Sequence, residues 1–452
     1  MGDRQPNQGL ARLYQESGWT LRQFAQAVNR IGTERGTPTR YQAASAHQWL
    51  NGHVPRESSH ALVLEAFARR LGRAVTCAEA GLPLSAAETS AFAGEAGWSG
   101  DTVVGLVTMG RADMDPSRRN FLSTALYAAA LPVPLYAEVV GRTEYGAGGH
   151  TTRIGAGDVT TVRTMTERIA DILDELGGGH ARPMAAAFLV NTVAPYLRAD
   201  ASDATRKSML AAASDLVYLT GWMAMYEKAH GLGQRYYLQA LRLAGEAEDH
   251  VTYCRTLRGM ALQAADLRHA KRAQELADSA AEAGPKAGPR LRAFLTGQQA
   301  QGAALVGDKR RAFSHLAETA DALSQADNRR DFVGGYDQAA YHFHVSSVLY
   351  ALGDVRGSVT AMQESNRARP PMEKQGRAHA NGLLAQRQLE VGQLEASCAT
   401  WDDFLDDYAH LSSARADEHF GVLRRRLRPY LKSSRVREVY DRAADVARHK
   451  AA

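Results

Sequence analysis

A chain of 452 residues, 45% hydrophobic and 23% charged, carries enough apolar material for packed cores; this excludes a disordered polymer and makes two or three units the expectation unless a repeat array fills most of the length. Its three cysteines, Cys77, Cys254 and Cys398, lie far apart, which excludes a disulfide scaffold and reads as buried thiols in a reducing compartment. The net charge of +5 gathers at the ends: residues 1–80 hold ten Lys/Arg against six Asp/Glu and residues 421–452 ten against three, so the body between is acidic and the basic head is the part suited to a polyanion.

Taken in chain order, the apolar periodicity predicts short amphipathic helices at Gly9–Gln15, Leu21–Ile31, Ala43–Leu50 and Ser58–Leu71. Thr20 stands where a hydroxyl can cap the second helix, whose buried stripe is Phe24, Ala25 and Val28. In "SAHQWLNGHVPR", Trp49 can pack inward, Gly52 can end the helix in the left-handed region and Pro55 prevents its resumption. The spacing Ser45, Trp49, Gly52, Pro55 resembles the helix-turn-helix of the phage-repressor and xenobiotic-response-element class, whose pattern is small residue–x–x–x–large apolar–x–x–Gly–x–x–Pro. That resemblance implies double-stranded DNA as a partner. It puts Ala44, Ser45 and Gln48 on the groove-facing side with His47 beside them, and Asn51, His53 and Arg56 near phosphates. Thr20, Arg22 and Arg40 complete the candidate DNA contacts, and Gln48 is the natural base reader, because its amide can bond adenine N6 and N7 together. One departure stands out. "RIGTERGTPTR", Arg30 to Arg40, replaces the usual short turn and must loop out or extend the first helix.

Beyond this module the stretch "MDPSRRNFLSTALYAAALPVPLYA" resembles a twin-arginine export signal, but a complete module at residues 7–82 precedes it. The expectation is an internal helix at 118–140 with its arginines solvated, set in a Gly-rich linker over 83–158, with Pro132 and Pro134 breaking the apolar run before it could span a bilayer. The glycines of "YGAGGHTTRIGAGD" lack the following Lys-Ser/Thr of a phosphate loop.

From Val159 helical periodicity dominates. A frame on Gly307, Gly353 and Gly392 puts small residues seven before (Ala300, Ser346, Ala385) and five after (Ala312, Ser358, Ser397), and large apolar ones nine after (Leu316, Met362, Trp401). This is a loose match to the tetratricopeptide repeat, where small residues let antiparallel helices approach and glycine turns the corner. Pro370 falls at a unit end, Gly231 gives a half-matching unit with Ala224 seven before it, and another pair fits at about 251–283. Five to six helix pairs over about 160–445 are expected, with the basic end after Leu423 as capping helices. The fold class is therefore all-α: a helix-turn-helix bundle at 1–82, a linker at 83–158, and a tetratricopeptide-like α-solenoid at 159–452.

The order of these parts, with "RRNFL", "GGGHARP" and "GWMAMYEKAHGLGQRYYLQAL" between them, looks like a family of actinobacterial transcriptional regulators with a tetratricopeptide C-terminal region. It resembles, more distantly, the peptide-sensing regulators of Gram-positive bacteria. The resemblance implies a cytoplasmic, homodimeric DNA-binding protein, without membrane attachment, whose operator affinity is set by a peptide or small-molecule effector in the repeat groove. In the repeat frame the groove-facing candidates are Phe294, Gln301, Phe343, Ser347, Tyr350, His379 and Gln386. A scaffold that binds proteins through both modules and no DNA is the alternative. No catalytic set, cofactor or metal is expected. His342 and His344 point apart on a helix, His180 suits a helix cap, and the run Asp402-Asp403 with Asp406-Asp407 reads as a solvated face.

Overall fold

The computed structural model describes residues 6–34, 38–73, 75–83, 101–114, 127–131, 133, 136, 153–284, 287–326 and 336–451. The fold is all-α; among the described residues extended structure is limited to one bridge between Arg153 and Asp200. The N-terminal unit holds α1 (Gln8–Ser17), α2 (Leu21–Glu34), α3 (Ala43–Leu50), α4 (Glu57–Leu71) and the short α5 (Cys77–Ala80). Asn7 caps α1, accepting from Leu10 N at 3.0 Å. At α2 Thr20 and Gln23 cap each other: Gln23 N donates to Thr20 Oγ1 at 3.3 Å and Thr20 N to Gln23 Oε1 at 2.8 Å. The core is aromatic, with Phe24 against Phe67 at 4.7 Å and against Trp49 at 5.8 Å between ring centres.

Fifteen further labelled helices follow among the described residues. α6 (Thr102–Met114) lies in the stretch expected to be linker, yet Val103 and Leu106 are buried in the array's core. Most of the 118–140 segment lies outside the described residues. Then come α7 (Ala156–Leu176) and α8 (Gly178–Phe188), which runs through a π turn at Leu189–Val193 into the short helix Ala194–Arg198. Five antiparallel hairpins stack behind them: α9 (Asp203–Tyr226) with α10 (His230–Glu246), α11 (His250–Asp266) with α12 (Ala270–Glu282), α13 (Pro289–Leu305) with α14 (Lys309–Ser324), α15 (Gln338–Ala351) with α16 (Val355–Ala368), and α17 (Lys374–Glu390) with α18 (Leu394–Tyr408). α19 (Ala414–Leu427) and α20 (Ser434–Ala451) follow the last hairpin.

The frame residues behave as the spacing predicts. Gly307, Gly353 and Gly392 turn the hairpins at φ +83°, +87° and +81°. Every small and large apolar residue named around them is buried. The small ones face across the hairpin, Ser346 Oγ donating to Ser358 O at 2.6 Å and Ser397 Oγ to Ala385 O at 2.7 Å. The first two hairpins turn without glycine, on Lys228 (φ +59°) and Arg268 (φ +63°). Gly231 is not a turn residue; it sits inside α10.

The array also closes on itself. Ser412 N donates to Leu176 O at 2.8 Å and Gly179 N to Ser412 O at 2.9 Å, so the segment before α19 zips onto the start of α8. This accounts for the run Gly177–Gly179: a Cβ on Gly177 or Gly179 would collide with Ser412. From there α19 packs against α17 and reaches α9 and α11. Arg415 pairs with Asp266 and lies over the Tyr226 ring at 4.5 Å, and Lys228 pairs with Glu418 at 2.6 Å.

Candidate nucleic-acid interface and repeat groove

α3 is amphipathic in the required sense. Ala46 and Trp49 are buried, and Trp49 is held between Phe24 and Tyr41, the latter at 4.7 Å. Ala44, His47, Gln48 and Asn51 are exposed; Ser45 is half-buried and its hydroxyl accepts from Gln42 N at 3.4 Å, so it serves the helix start. Asn51 folds back, donating to His47 O at 3.0 Å. The Gln48 side-chain amide makes no hydrogen bond among the described residues, while its carbonyl accepts from His53 N at 3.0 Å. Gly52 adopts φ +88°, and buried His60 bonds Pro55 O through Nε2 at 2.9 Å, which fixes the entry into α4. His53 is exposed at the same turn.

The 30–40 insertion extends α2 by a turn. Asn29 gathers its far end, donating to Tyr41 O at 2.7 Å and accepting from Thr39 Oγ1 at 2.9 Å and Tyr41 N at 2.8 Å. The arginines then divide into two groups. Arg69, Arg70 and Arg73 are spent within the module: Arg69 on Glu65 and Glu34 at 2.6 Å each, Arg70 on Ser17 O at 2.7 Å, and Arg73 on Glu16 and Glu79. Arg22, Arg40 and Arg56, around α3, are exposed and have no ion pair among the described residues. Thr20 is exposed with its hydroxyl committed to the α2 cap.

A strap joins this module to the array. Tyr127 belongs to the array's core and stacks on His269 at 5.6 Å, whereas Ala130 packs against the N-terminal core. Gln234 of α10 grips Ala128 at both N and O, each at 2.8 Å; Arg272 donates to Leu131 O at 2.8 Å; Ala129 N donates to Glu65 of α4 at 2.9 Å. Burial raises the Glu65 carboxyl's pKa against the pull of Arg69, and burial pushes the His269 imidazole down to about 4.

In the repeat groove the seven sequence candidates separate. At the C-terminal end the face is covered: His379 Nδ1 bonds His419 Nε2 of α19 at 2.9 Å, Gln386 Nε2 reaches His419 Nδ1 at 3.1 Å, and Gly382 leaves room for that imidazole. Burial pushes His419 down to about 4 and His379 well below its ordinary value. Phe343 packs beside His379 at 5.8 Å, the Ser347 hydroxyl returns to Phe343 O, Tyr350 donates to Glu390 at 3.1 Å under Arg387, and Gln301 accepts from Gln298 at 3.2 Å. Only Phe294 keeps a different company: the Arg258 guanidinium lies 4.0 Å over its ring and 5.4 Å from that of Trp222.

Trp222 and Arg258 were missed by the glycine frame. Counting back from the observed turn residues Lys228 and Arg268 places Trp222 and Arg258 at the same groove-facing steps, six and ten residues before the turn, as Gln386 and Gly382 occupy before Gly392. The available signal was the 39- or 40-residue spacing of Lys228, Arg268 and Gly307, which carries no glycine at two of its three points.

The acidic run is not a solvated face. Asp402 and Asp406 pair with Arg435 and Arg442 of α20, and Asp407 takes a two-point contact from Arg377 at 2.6 and 2.8 Å, beside a polar cleft of about 550 Å³. Cys77, Cys254 and Cys398 are buried and not joined to one another, and no described helix is long and apolar enough to cross a membrane. Among curated proteins no match is found for the chain. Residues 10–83, which run from α1 through α3 to just past α5, match a family model described as the SP15 N-terminal domain.

Proposed function

We propose that the chain is a sequence-specific DNA-binding transcriptional regulator: a helix-turn-helix of the phage-repressor type reads a duplex with α3, and a tetratricopeptide-like array binds an effector and pairs two copies. The observation that carries this is the sorting of charge. The arginines around α3 lack acidic partners among the described residues, while those on α4 and beyond it are consumed by the module's own carboxylates and carbonyls. Gln48 projects from the middle of α3 with its amide uncommitted. One short recognition helix covers few base pairs, so a two-fold pair on a palindromic site is the economical arrangement.

Fluorescence anisotropy on DNA from the chain's own promoter region, over a salt series, tests the first part. Binding that weakens linearly in log salt and exceeds that to random duplex by tenfold or more is expected. Equal, salt-insensitive retention of both duplexes overturns it, and absence of DNA binding with recovery of a stoichiometric protein partner supports the scaffold alternative. Sedimentation of the full chain with and without DNA tests the dimer; a monomer in both conditions ends that part.

A further inference from the structure

We propose that Arg258, held between the rings of Trp222 and Phe294, anchors a carboxylate-binding site on the inner face of the array, and that it takes an anion whose apolar or aromatic body lies along those two rings. This rests on reading the array as a sensor and names the chemistry it would sense. Arg258 is 6% exposed, its Nε is sealed from solvent without an acceptor, and it forms no ion pair among the described residues. Its neighbour one turn earlier, Arg255, shows the ordinary solution: it is equally buried and pairs with Asp215 at 3.1 Å. A buried guanidinium without a counter-charge is costly, and ring faces return only part of that cost. The planar fork is suited to a carboxylate held at two points.

The surroundings are built to hold that geometry. Trp222, Arg258 and Phe294 come from the first helices of three successive hairpins, α9, α11 and α13, and both rings are only half-buried, so part of each stays accessible. Behind Phe294, Tyr336 lies 5.4 Å away and its hydroxyl meets His344 Nδ1 at 2.8 Å, an arrangement that fits only because residue 297 is glycine. Burial, with Arg258 adding to it, pushes His344 down to about 3, so this imidazole is neutral and adds no competing charge. A second sealed polar atom without a partner, the Tyr237 hydroxyl, lies behind Gly259 of the same helix. No carboxylate of the described chain answers either group.

Two sources share this chemistry, a small aromatic acid and the free C-terminus of a peptide ending in an aromatic residue. The test titrates the full chain with 3-phenylpropionate, with its primary amide, and with Gly-Gly-Gly-Phe as free acid and as C-terminal amide, following tryptophan fluorescence in the wild type and in Trp222→Phe. Saturable quenching by an acid, lost in Trp222→Phe, with the matching amide at least about tenfold weaker, is the expected result. Arg258→Gln should lose that preference and melt no lower than wild type, because it removes an uncompensated charge. Equal binding of acid and amide, unchanged acid binding in Arg258→Gln, or no saturation by either acid up to about 10 mM overturns the site. The acid–amide comparison on the wild type decides the matter even where a variant fails to fold. Anisotropy on promoter DNA without any acid is read separately: DNA binding with no acid binding rejects this site alone, and acid binding with no DNA binding rejects the regulator.

Discussion

Gln48 and Arg56 do different work under the proposed function, and single substitutions separate them. Gln48→Ala should cost specific affinity roughly 1–3 kcal/mol while leaving random-duplex binding near its starting value, since a bidentate amide contact discriminates bases. Arg56→Ala should weaken both and flatten the salt slope by about one unit. Equal losses on the two duplexes for Gln48→Ala would show that α3 does not enter the groove as argued. At the other end of the molecule, His419 offers a pH prediction. Its folded pKa lies near 4 against an ordinary 6.5, so the unfolded chain binds the extra proton; the contribution is whole above about 6.5 and is lost as pH falls toward 4. Asp174 and Glu227, pushed up to about 7 by burial, run the opposite way, their contribution fading as pH rises through that value. The clean measurement is therefore a difference: between pH 7.5 and 5 the melting temperature of His419→Gln should fall less than that of wild type, by an amount equivalent to about 1–3 kcal/mol. Parallel curves would mean that the imidazole is already charged or already exposed.

Two kinds of glycine end or join elements here, and they predict different penalties. Gly353 turns α15 into α16 at φ +87° with open space around its Cβ position, so Gly353→Ala carries only the backbone cost, about 1–2 kcal/mol. Gly177, at φ +92°, meets Ser412 backbone as well, and Gly177→Ala should cost more, about 3 kcal/mol or above, by urea titration. A smaller loss for Gly177 than for Gly353 would show that the closure is slack. The strap gives a third element-scale test. Gln234→Leu removes both bonds to Ala128, and if the strap carries the effector signal, this variant keeps DNA affinity while losing its dependence on a bound acid. Much of this was legible in sequence because its marks are local: Thr20, Trp49, Gly52 and Pro55 for α2 and α3, and the frame glycines with their small partners for the last three hairpins. Lys228 and Arg268 were not, since a left-handed turn built on a long charged residue leaves no compositional sign. α6 was read as linker because the 83–158 stretch around it is rich in glycine. Gly110 faces Val190 across a packed interface, where a Cβ would come within 2.6 Å of that side chain. No local signal reports that α19 lies across α17, and so His379 and Gln386 appeared available for a ligand.

At the scale of the whole molecule, stacked hairpins alone would give stability that is a sum over neighbours, with ends that fray. The join between the α7–α8 corner and Ser412 changes the order in which the chain can be finished. Its two halves are separated by nearly the entire array, so the contact imposes a large loop-closure cost that is met only after the hairpins between have formed. Without α19 and α20 the array is thus an open spiral, and the segment at Ser412 converts it to a ring. Hydrogen exchange should display that conversion: in a chain ending at Ala409, amides of α7 and α8 exchange far faster than in the full protein, while those of α13 and α14, buried by their own neighbours, change little. Uniform loss of protection along the array would show that it folds as one unit, and that the ring is a requirement for the spiral instead of its completion.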